Sequence, residues 1–190
     1  MSSTHTLFRG AHTGYAFDGT EVTDGELEQI YDLMRHAPTA MNSQPLRITF
    51  VRSPEAKQRL LTHLAPGNRP KSESAPVVAV LAADTDFHRH LPRLAPHLPD
   101  PARRFADDQA RESAARFNAH LQAGYFILAV RAVGLDAGPM GGFDAAGVDA
   151  EFFAGTSLRS FLVVNIGHAA PEGFRPRQPR LDWAEAVEVL

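Results

Sequence analysis

The spacing of apolar residues divides the chain into helical and strand-like segments. Apolar side chains recur at helical spacing from Leu27 to Met34, after the capping residue Thr23, which predicts a helix ending near residue 36 or 37. A second helix is predicted after Ser53, where Pro54 takes the first helical position. A third pattern, over about 111–133, is apolar on all sides in its second half. Such a helix is expected to be central.

Three other runs have the character of strands. Residues 46–52 alternate and are rich in β-branched side chains, whereas 76–83 and 158–167 are almost continuously apolar. A continuous apolar run indicates a strand covered on both faces. The chain of 190 residues contains no internal repeat and no evident boundary, so a single domain over 1–190 is expected.

Residues 84–110 fit neither pattern. They are rich in proline and histidine, yet they contain leucine and phenylalanine at irregular intervals. We interpret them as a mobile, partly helical cover over a site, although an ordinary surface insertion explains the pattern equally well.

Composition excludes several classes of site. The chain has no cysteine, which rules out disulfides, thiolate catalysis and cysteine-ligated zinc or iron–sulfur centres. A net charge of −3 argues against a nucleic-acid-binding protein. No apolar run approaches the length of a membrane span, and the first residues lack the features of a signal peptide, so a cytoplasmic protein without a membrane partner is expected.

The common catalytic motifs are absent as well. No Gly-x-Gly-x-x-Gly follows a strand, and there is no Walker loop, Gly-x-Ser-x-Gly elbow or His-Glu-x-x-His. No carboxylate is spaced to complete a metal site with His88, His90 and His97, so no metal is expected. Four polar or glycine-rich junctions and an arginine-containing tail remain. These suit a phosphorylated ring cofactor that carries out the redox chemistry itself.

The first junction, Pro38–Pro45, lies between the first helix and the first strand. Its prolines hold the backbone open while its polar side chains offer hydrogen bonds, although an ordinary connector has the same composition. The sequence Ala-Pro-Thr-Ala-Met-Asn-Ser-Gln-Pro resembles the signature loop of the flavin-dependent nitroreductase family. The resemblance covers nearly the whole chain and implies that Pro38, Thr39, Asn42 and Gln44 contact the flavin of FMN.

The second junction contains Asn68 and Lys71. It resembles the Asn-x-x-Lys pair that reaches the pyrimidine end of the flavin in this family. A cation there makes physical sense, because two-electron reduction places negative charge around N1 and O2 of the ring. Taken alone, Lys71 is better explained as a solvated surface lysine, but its spacing from Asn68 and its order relative to the other motifs favour the flavin.

The third junction is Gly-Pro-Met-Gly-Gly-Phe, over residues 138–143. It is similar to the family's Pro-x-x-Gly loop, in which glycine allows backbone amides to approach flavin N5 and O4. The residues assigned to the cofactor by this resemblance are Pro139, Met140, Gly141 and Gly142. The form of the loop is closest to that of the malonic semialdehyde reductase branch.

The fourth junction contains Arg175 and Arg177, which resemble the basic segment that binds the FMN phosphate. One departure concerns the N-terminus. Most of the family has an Arg-x-Ser-x-Arg/Lys segment there, whereas Ala11–Tyr15 supplies only His12 and Thr13 in its place. Thr13 can replace the serine and His12 can donate to phosphate, but two cations are lost, so weaker FMN binding is expected.

The resemblance implies an α+β nitroreductase-like fold. Its central mixed or antiparallel sheet is flanked by helices, and its long central helix lies at a homodimer interface that holds FMN. It also implies NAD(P)H-dependent, ping-pong hydride transfer to a small-molecule acceptor, with 3-oxopropanoate reduction as the leading idea and quinones or nitroaromatics as the alternative. No catalytic side chain is identified. A non-catalytic flavin-binding protein and a flavin-free structural relative remain competing hypotheses.

Overall fold

The computed structural model describes residues 4–190, and residues 1–3 of the expected domain lie outside the described part. Four antiparallel strands form one sheet in the order β1-β2-β4-β3. The strands are β1 (Leu46–Val51), β2 (Val77–Asp84), β3 (Asp136–Met140) and β4 (Leu158–Gly167). The helices are α1 (Asp24–Met34), α2 (Pro54–His63), α3 (Arg69–Ser74), α4 (Leu91–Leu94), α5 (Asp108–Ala132), α6 (Ala145–Phe152) and α7 (Trp183–Ala186).

Both faces of the sheet are covered, as the apolar run in β2 predicted. Every residue of β2 is buried. Its odd-numbered residues, such as Leu81, pack with α1 and α5, while its even-numbered residues, such as Val80, pack with α2 and α6. The alternation follows from the two-residue period of a strand. The sheet is therefore the middle layer between two layers of helices.

The helix-start signals of the sequence are confirmed. Thr23 caps α1 through a reciprocal pair of hydrogen bonds with Glu26, and the Ser53 side chain accepts from the Ala56 amide at 3.2 Å at the start of α2. Helix α1 ends at Met34, slightly earlier than expected. Strand β4 has the predicted bounds.

The glycine-rich junction before residue 143 was interpreted as a loop, and this is wrong for its first part, because Asp136–Met140 forms β3. The misleading residues were Gly138 and Pro139, which are depleted from strand interiors. Proline is tolerated because β3 pairs only with β4, so its other edge needs no donor at that position.

The segment 84–110 is built of short helical pieces around buried Phe87 and Leu91. Helix α4 contacts a single-turn helix at Ala40–Asn42, inside the Pro38–Pro45 junction. The segment thus packs beside that junction, while its mobility stays a prediction. None of the helices in residues 4–190 combines the length and apolarity needed to cross a membrane.

Candidate functional site

The junction Pro38–Pro45, hereafter the proline loop, has a strained backbone. Met41, Asn42 and Gln44 have φ values of 54°, 51° and 43°. Across the described residues, Asp100 is the one other non-glycine residue with positive φ. Each such residue costs of order 1–3 kcal/mol and persists only where its surroundings enforce it. The loop therefore holds one specific conformation and is more than an ordinary connector.

Side chains predicted from the sequence hold the loop in this conformation. Thr39 Oγ1 accepts from the Gln44 amide at 3.2 Å, and Gln44 Nε2 donates to Asn42 Oδ1 at 2.7 Å. Asn42 Nδ2 donates to the Leu94 carbonyl at 2.9 Å. Thr39, Asn42 and Gln44 are thus connected to one another and to α4.

A buried residue that sequence reasoning missed supports the same loop. Asn118 lies on α5, is buried, and its Oδ1 accepts from the Ala40 amide at 2.7 Å. One turn further along, Gln122 Oε1 accepts from the Leu46 amide at 2.9 Å. The signal in the sequence was two amides among the apolar positions of the central helix.

The second and third junctions meet in space. Asn68 Nδ2 donates to the Gly142 carbonyl at 2.9 Å, and Lys71 Nζ donates to Asn68 Oδ1 at 3.0 Å. The contact is close, since a Cβ atom on Gly142 would lie 2.8 Å from Asn68 Nδ2. The Asn68 amide therefore fixes the position of the Lys71 ammonium relative to the glycine-rich turn.

An aromatic ring joins the tail to this group. Lys71 Nζ lies 4.9 Å from the centroid of the Tyr15 ring, and Arg175 Cζ lies 4.3 Å from the same centroid. Cation–π contacts of this kind order both side chains. We name Tyr15, Asn68, Lys71, Gly142 and Arg175 the tyrosine cluster. Sequence reasoning missed Tyr15, which the N-terminal comparison treated as part of a lost motif.

Strand β3 positions Tyr15. Thr13 forms a parallel bridge with Ala137, and the Gly14 amide donates to the Ala137 carbonyl at 3.2 Å. A Cβ atom on Gly138 would lie 2.6 Å from the Gly14 carbonyl oxygen. Gly138 is therefore required for the N-terminal segment to lie this close to β3.

The second arginine of the tail occupies a different place. Arg177 Nη2 donates to the carbonyls of Arg9 and Ala11 at 2.7 and 2.8 Å. Burial lowers the pKa of the nearby Arg131 guanidinium, and the positive charge of Arg177 lowers it further. His12 follows Ala11 in the sequence and packs edge-on against Phe174, with ring centroids 5.5 Å apart.

Two predicted cofactor residues lie in β3 itself. Pro139 pairs with Val164 of β4, and Met140 pairs with Val163. The Met140 sulfur lies 3.9 Å from Asn165 Nδ2. Gly141 follows them, and a Cβ atom there would meet nothing within 4 Å. The strand therefore leads directly into the tyrosine cluster at Gly142.

Within one chain, the proline loop does not join the other predicted residues. It ends beside the C-terminus of β2, where the Asp84 amide donates to the Pro45 carbonyl at 2.9 Å. Helix α3, which carries Lys71, immediately precedes the other end of β2. An eight-residue strand spans about 24 Å. The predicted site is thus divided into two halves within one chain.

A model of the family described as "Nitroreductase family" matches residues 9–168. The chain belongs to the nitroreductase family. A protein of Leptothrix cholodnii assigned as an NADH dehydrogenase/NAD(P)H nitroreductase is 53% identical over 97% of this chain and 94% of its own length.

Solved structures of other nitroreductases share the fold. A protein of Bacillus subtilis assigned as a nitroreductase matches with a TM-score of 0.88 and 24% identity over 98% of both chains. Another, from Exiguobacterium sibiricum and solved in complex with FMN, has a TM-score of 0.85 and 20% identity over 100% of this chain and 98% of its own. The predicted nitroreductase-like fold is confirmed, with a sheet that is wholly antiparallel.

Proposed function

We propose that this nitroreductase is an NAD(P)H-dependent FMN oxidoreductase that transfers hydride to a small acceptor by a ping-pong route. The observation that carries the proposal is the tyrosine cluster, in which Lys71 is held by Asn68 and stacked on Tyr15 beside a glycine-rich turn. This donor set fits the polar edge of a flavin, and the guanidinium of Arg177 fits its phosphate. Bound FMN supplies two-electron redox chemistry that no side chain here provides.

Lys71 has a specific role in this proposal. Its ammonium binds the pyrimidine end of the flavin, where reduction places negative charge, and thereby favours the reduced state. The position of Lys71 depends on Asn68, because Asn68 Oδ1 accepts its hydrogen bond at 3.0 Å. The Lys71 ammonium also lies over the face of the Tyr15 ring, and this cation–π contact limits the movement of the side chain.

The divided site implies a homodimer. The proline loop and the tyrosine cluster lie at opposite ends of β2, further apart than the width of a flavin ring. In a two-fold symmetric dimer each copy contributes both halves, so the proline loop of one protomer completes the cofactor site of its partner. This arrangement also places α4 and the rest of segment 84–110 beside the completed site.

Exposed apolar surface supports the homodimer. Helix α5 leaves Phe117, Leu121 and Tyr125 exposed at four-residue intervals, with 66%, 43% and 44% of each residue accessible. In the tail, Leu181 and Trp183 are 71% and 72% exposed. A contiguous apolar helix face of this kind marks an interaction surface. A second copy packed along α5 covers it.

The cofactor proposal is tested by titrating FMN into the parent and the Lys71→Ala variant, followed by anaerobic addition of NADH. Arg35→Ala removes the same charge from the exposed end of α1 and serves as the control. We expect Lys71→Ala alone to bind FMN more weakly and to give a more negative flavin potential. Equal affinity and potential in all three proteins would contradict the proposal.

The shared site is tested by subunit complementation. Lys71→Ala chains are co-expressed with Asn42→Ala/Gln44→Ala chains, both inactive or weak alone. Random pairing makes half of the dimers mixed, and each mixed dimer has one intact site, so about a quarter of parental activity returns. Activity that does not rise above the two separate variants would show that each site is built from a single chain.

The acceptor is proposed at the level of chemical class. The form of residues 138–143 favours a small carbonyl such as 3-oxopropanoate, and quinones and nitroaromatics are the alternatives. Steady NADH or NADPH oxidation with each acceptor ranks them by kcat/KM. A flavin that is bound but never reduced by either nucleotide would instead identify a non-catalytic flavin-binding protein.

A further inference from the structure

Arg131 is a half-buried cation without a partner. It lies at the C-terminal end of α5, and its Nε is fully buried with no hydrogen-bond acceptor. Burial lowers the pKa of its guanidinium, because the charged form is poorly solvated there. In the sequence, Arg131 is an isolated cation that follows the apolar second half of the helix. A half-buried arginine whose buried Nε has no acceptor needs an explanation.

The protein itself does not neutralise this charge. Asp136 attracts Arg131 from a distance, but its Oδ2 accepts from the Ala169 amide at 2.9 Å. Within residues 4–190, no carboxylate oxygen lies within 4 Å of the Arg131 guanidinium. The neighbouring charge is that of Arg177, which repels it.

The position of Arg177 is fixed by the N-terminal segment. Its Nη2 donates to the carbonyls of Arg9 and Ala11, which leaves the rest of its fork of donors unused. Arg9 ends a short helix that contacts α5, and its backbone carbonyl is one of these two acceptors. Two guanidinium groups close together, with no carboxylate in contact, are costly unless an anion binds between them.

We propose that Arg131, together with Arg177, binds the phosphate of FMN. The inference rests on the proposed function, since it assigns one end of the cofactor that the tyrosine cluster holds at the other. A phosphate monoester offers several oxygens and a charge near −2, which matches two guanidinium forks. Arg131 thereby supplies a cation that the segment Ala11–Tyr15 lacks.

The test compares FMN with riboflavin, which has the same ring and ribityl chain but no phosphate. Dissociation constants are measured by flavin fluorescence for the parent, Arg131→Ala and Arg131→Lys, without any turnover. Arg116→Ala is the control, because Arg116 is an exposed arginine of the same helix with no side-chain partner in the described structure.

For Arg131→Ala we expect FMN affinity to fall about 10–100-fold, as loss of a charge-assisted contact implies, with riboflavin affinity unchanged. Arg131→Lys keeps the charge but loses the fork, so its FMN affinity should lie between those of the parent and Arg131→Ala. Arg116→Ala should match the parent for both ligands. The Arg131→Lys comparison also decides the question if Arg131→Ala does not fold.

Two results would overturn the assignment. An equal loss of FMN and riboflavin affinity would mean that Arg131 supports only the fold at the end of α5. Unchanged FMN affinity in both variants would mean that the phosphate is held without Arg131. Failure of the proposed function is distinguishable from these, because the parent protein would then bind neither flavin, and the phosphate assignment would fall with it.

Discussion

Replacing Gly138 with alanine tests how tightly the N-terminal segment must lie against β3. The new Cβ atom would lie 2.6 Å from the Gly14 carbonyl oxygen and 3.4 Å from the Asn165 Cβ. The first contact is with backbone, so no side chain can rotate away to relieve it. The segment that carries Tyr15 must move, and the hydrogen bond from the Gly14 amide to the Ala137 carbonyl is lost with it.

The loss in the free energy of unfolding on Gly138→Ala can be worked out from these contacts. Overpacking costs about 1–3 kcal/mol, and loss of the hydrogen bond about 0.5–1.5 kcal/mol. Alanine restricts the unfolded chain and recovers about 0.4–1 kcal/mol, since φ at Gly138 is not positive. A net loss of about 1–3 kcal/mol remains, which lowers Tm by about 3–10 °C for a chain of this length.

Urea denaturation of the apoprotein measures this loss directly. Gly67→Ala is the matched control, because a Cβ atom there meets nothing within 4 Å and its φ is not positive. The control should be as stable as the parent or more stable. FMN affinity should fall only in Gly138→Ala, because Tyr15 is displaced. If the two variants are equally stable, the close approach of Gly14 to β3 is not as described.

Two further predictions concern the supports of the site and of the fold. Asn118→Ala should lower the free energy of unfolding by about 1–3 kcal/mol and weaken FMN binding, because it leaves the Ala40 amide without its acceptor. Urea denaturation and a flavin titration check both effects, and unchanged values would show that α5 does not hold the proline loop. Hydrogen bonds from Thr23 lower the pKa of the Glu26 carboxyl. The ionised carboxylate therefore stabilises the folded protein at neutral pH, and this contribution is lost as pH falls through the pKa of Glu26 in the folded state. Glu26→Gln should therefore be less stable than the parent at neutral pH, and the difference should shrink as pH falls below the usual pKa of a carboxyl group; a pH-independent difference would contradict this sign.

The elements that were predicted well are those whose signals are local. The continuous apolar run of β2 and the capping residue Thr23 each determine their structure within a few residues. Strand β3 was missed because Gly138 and Pro139 are poor strand residues. They are accepted there because β3 is the edge strand of the sheet and the N-terminal segment lies close against Gly138. Tertiary contacts of this kind cannot be predicted from the local sequence pattern.

The candidate site shows the same limit. The resemblance identified Asn68, Lys71 and Gly142, which the structure brings into one hydrogen-bonded group. It could not indicate that the proline loop lies at the other end of β2, because a sequence motif does not give the distance between two segments of a folded chain. Arg131 was missed because its isolation is visible only when the burial of α5 is known.

The most direct test of the central claim is an anaerobic visible spectrum of the purified protein with added FMN, recorded before and after NADH or NADPH. Saturable perturbation of the flavin bands, followed by rapid bleaching with at least one nucleotide, is the predicted result. A spectrum identical to that of free FMN, with no bleaching beyond that of a protein-free control, would contradict the assignment as an FMN oxidoreductase.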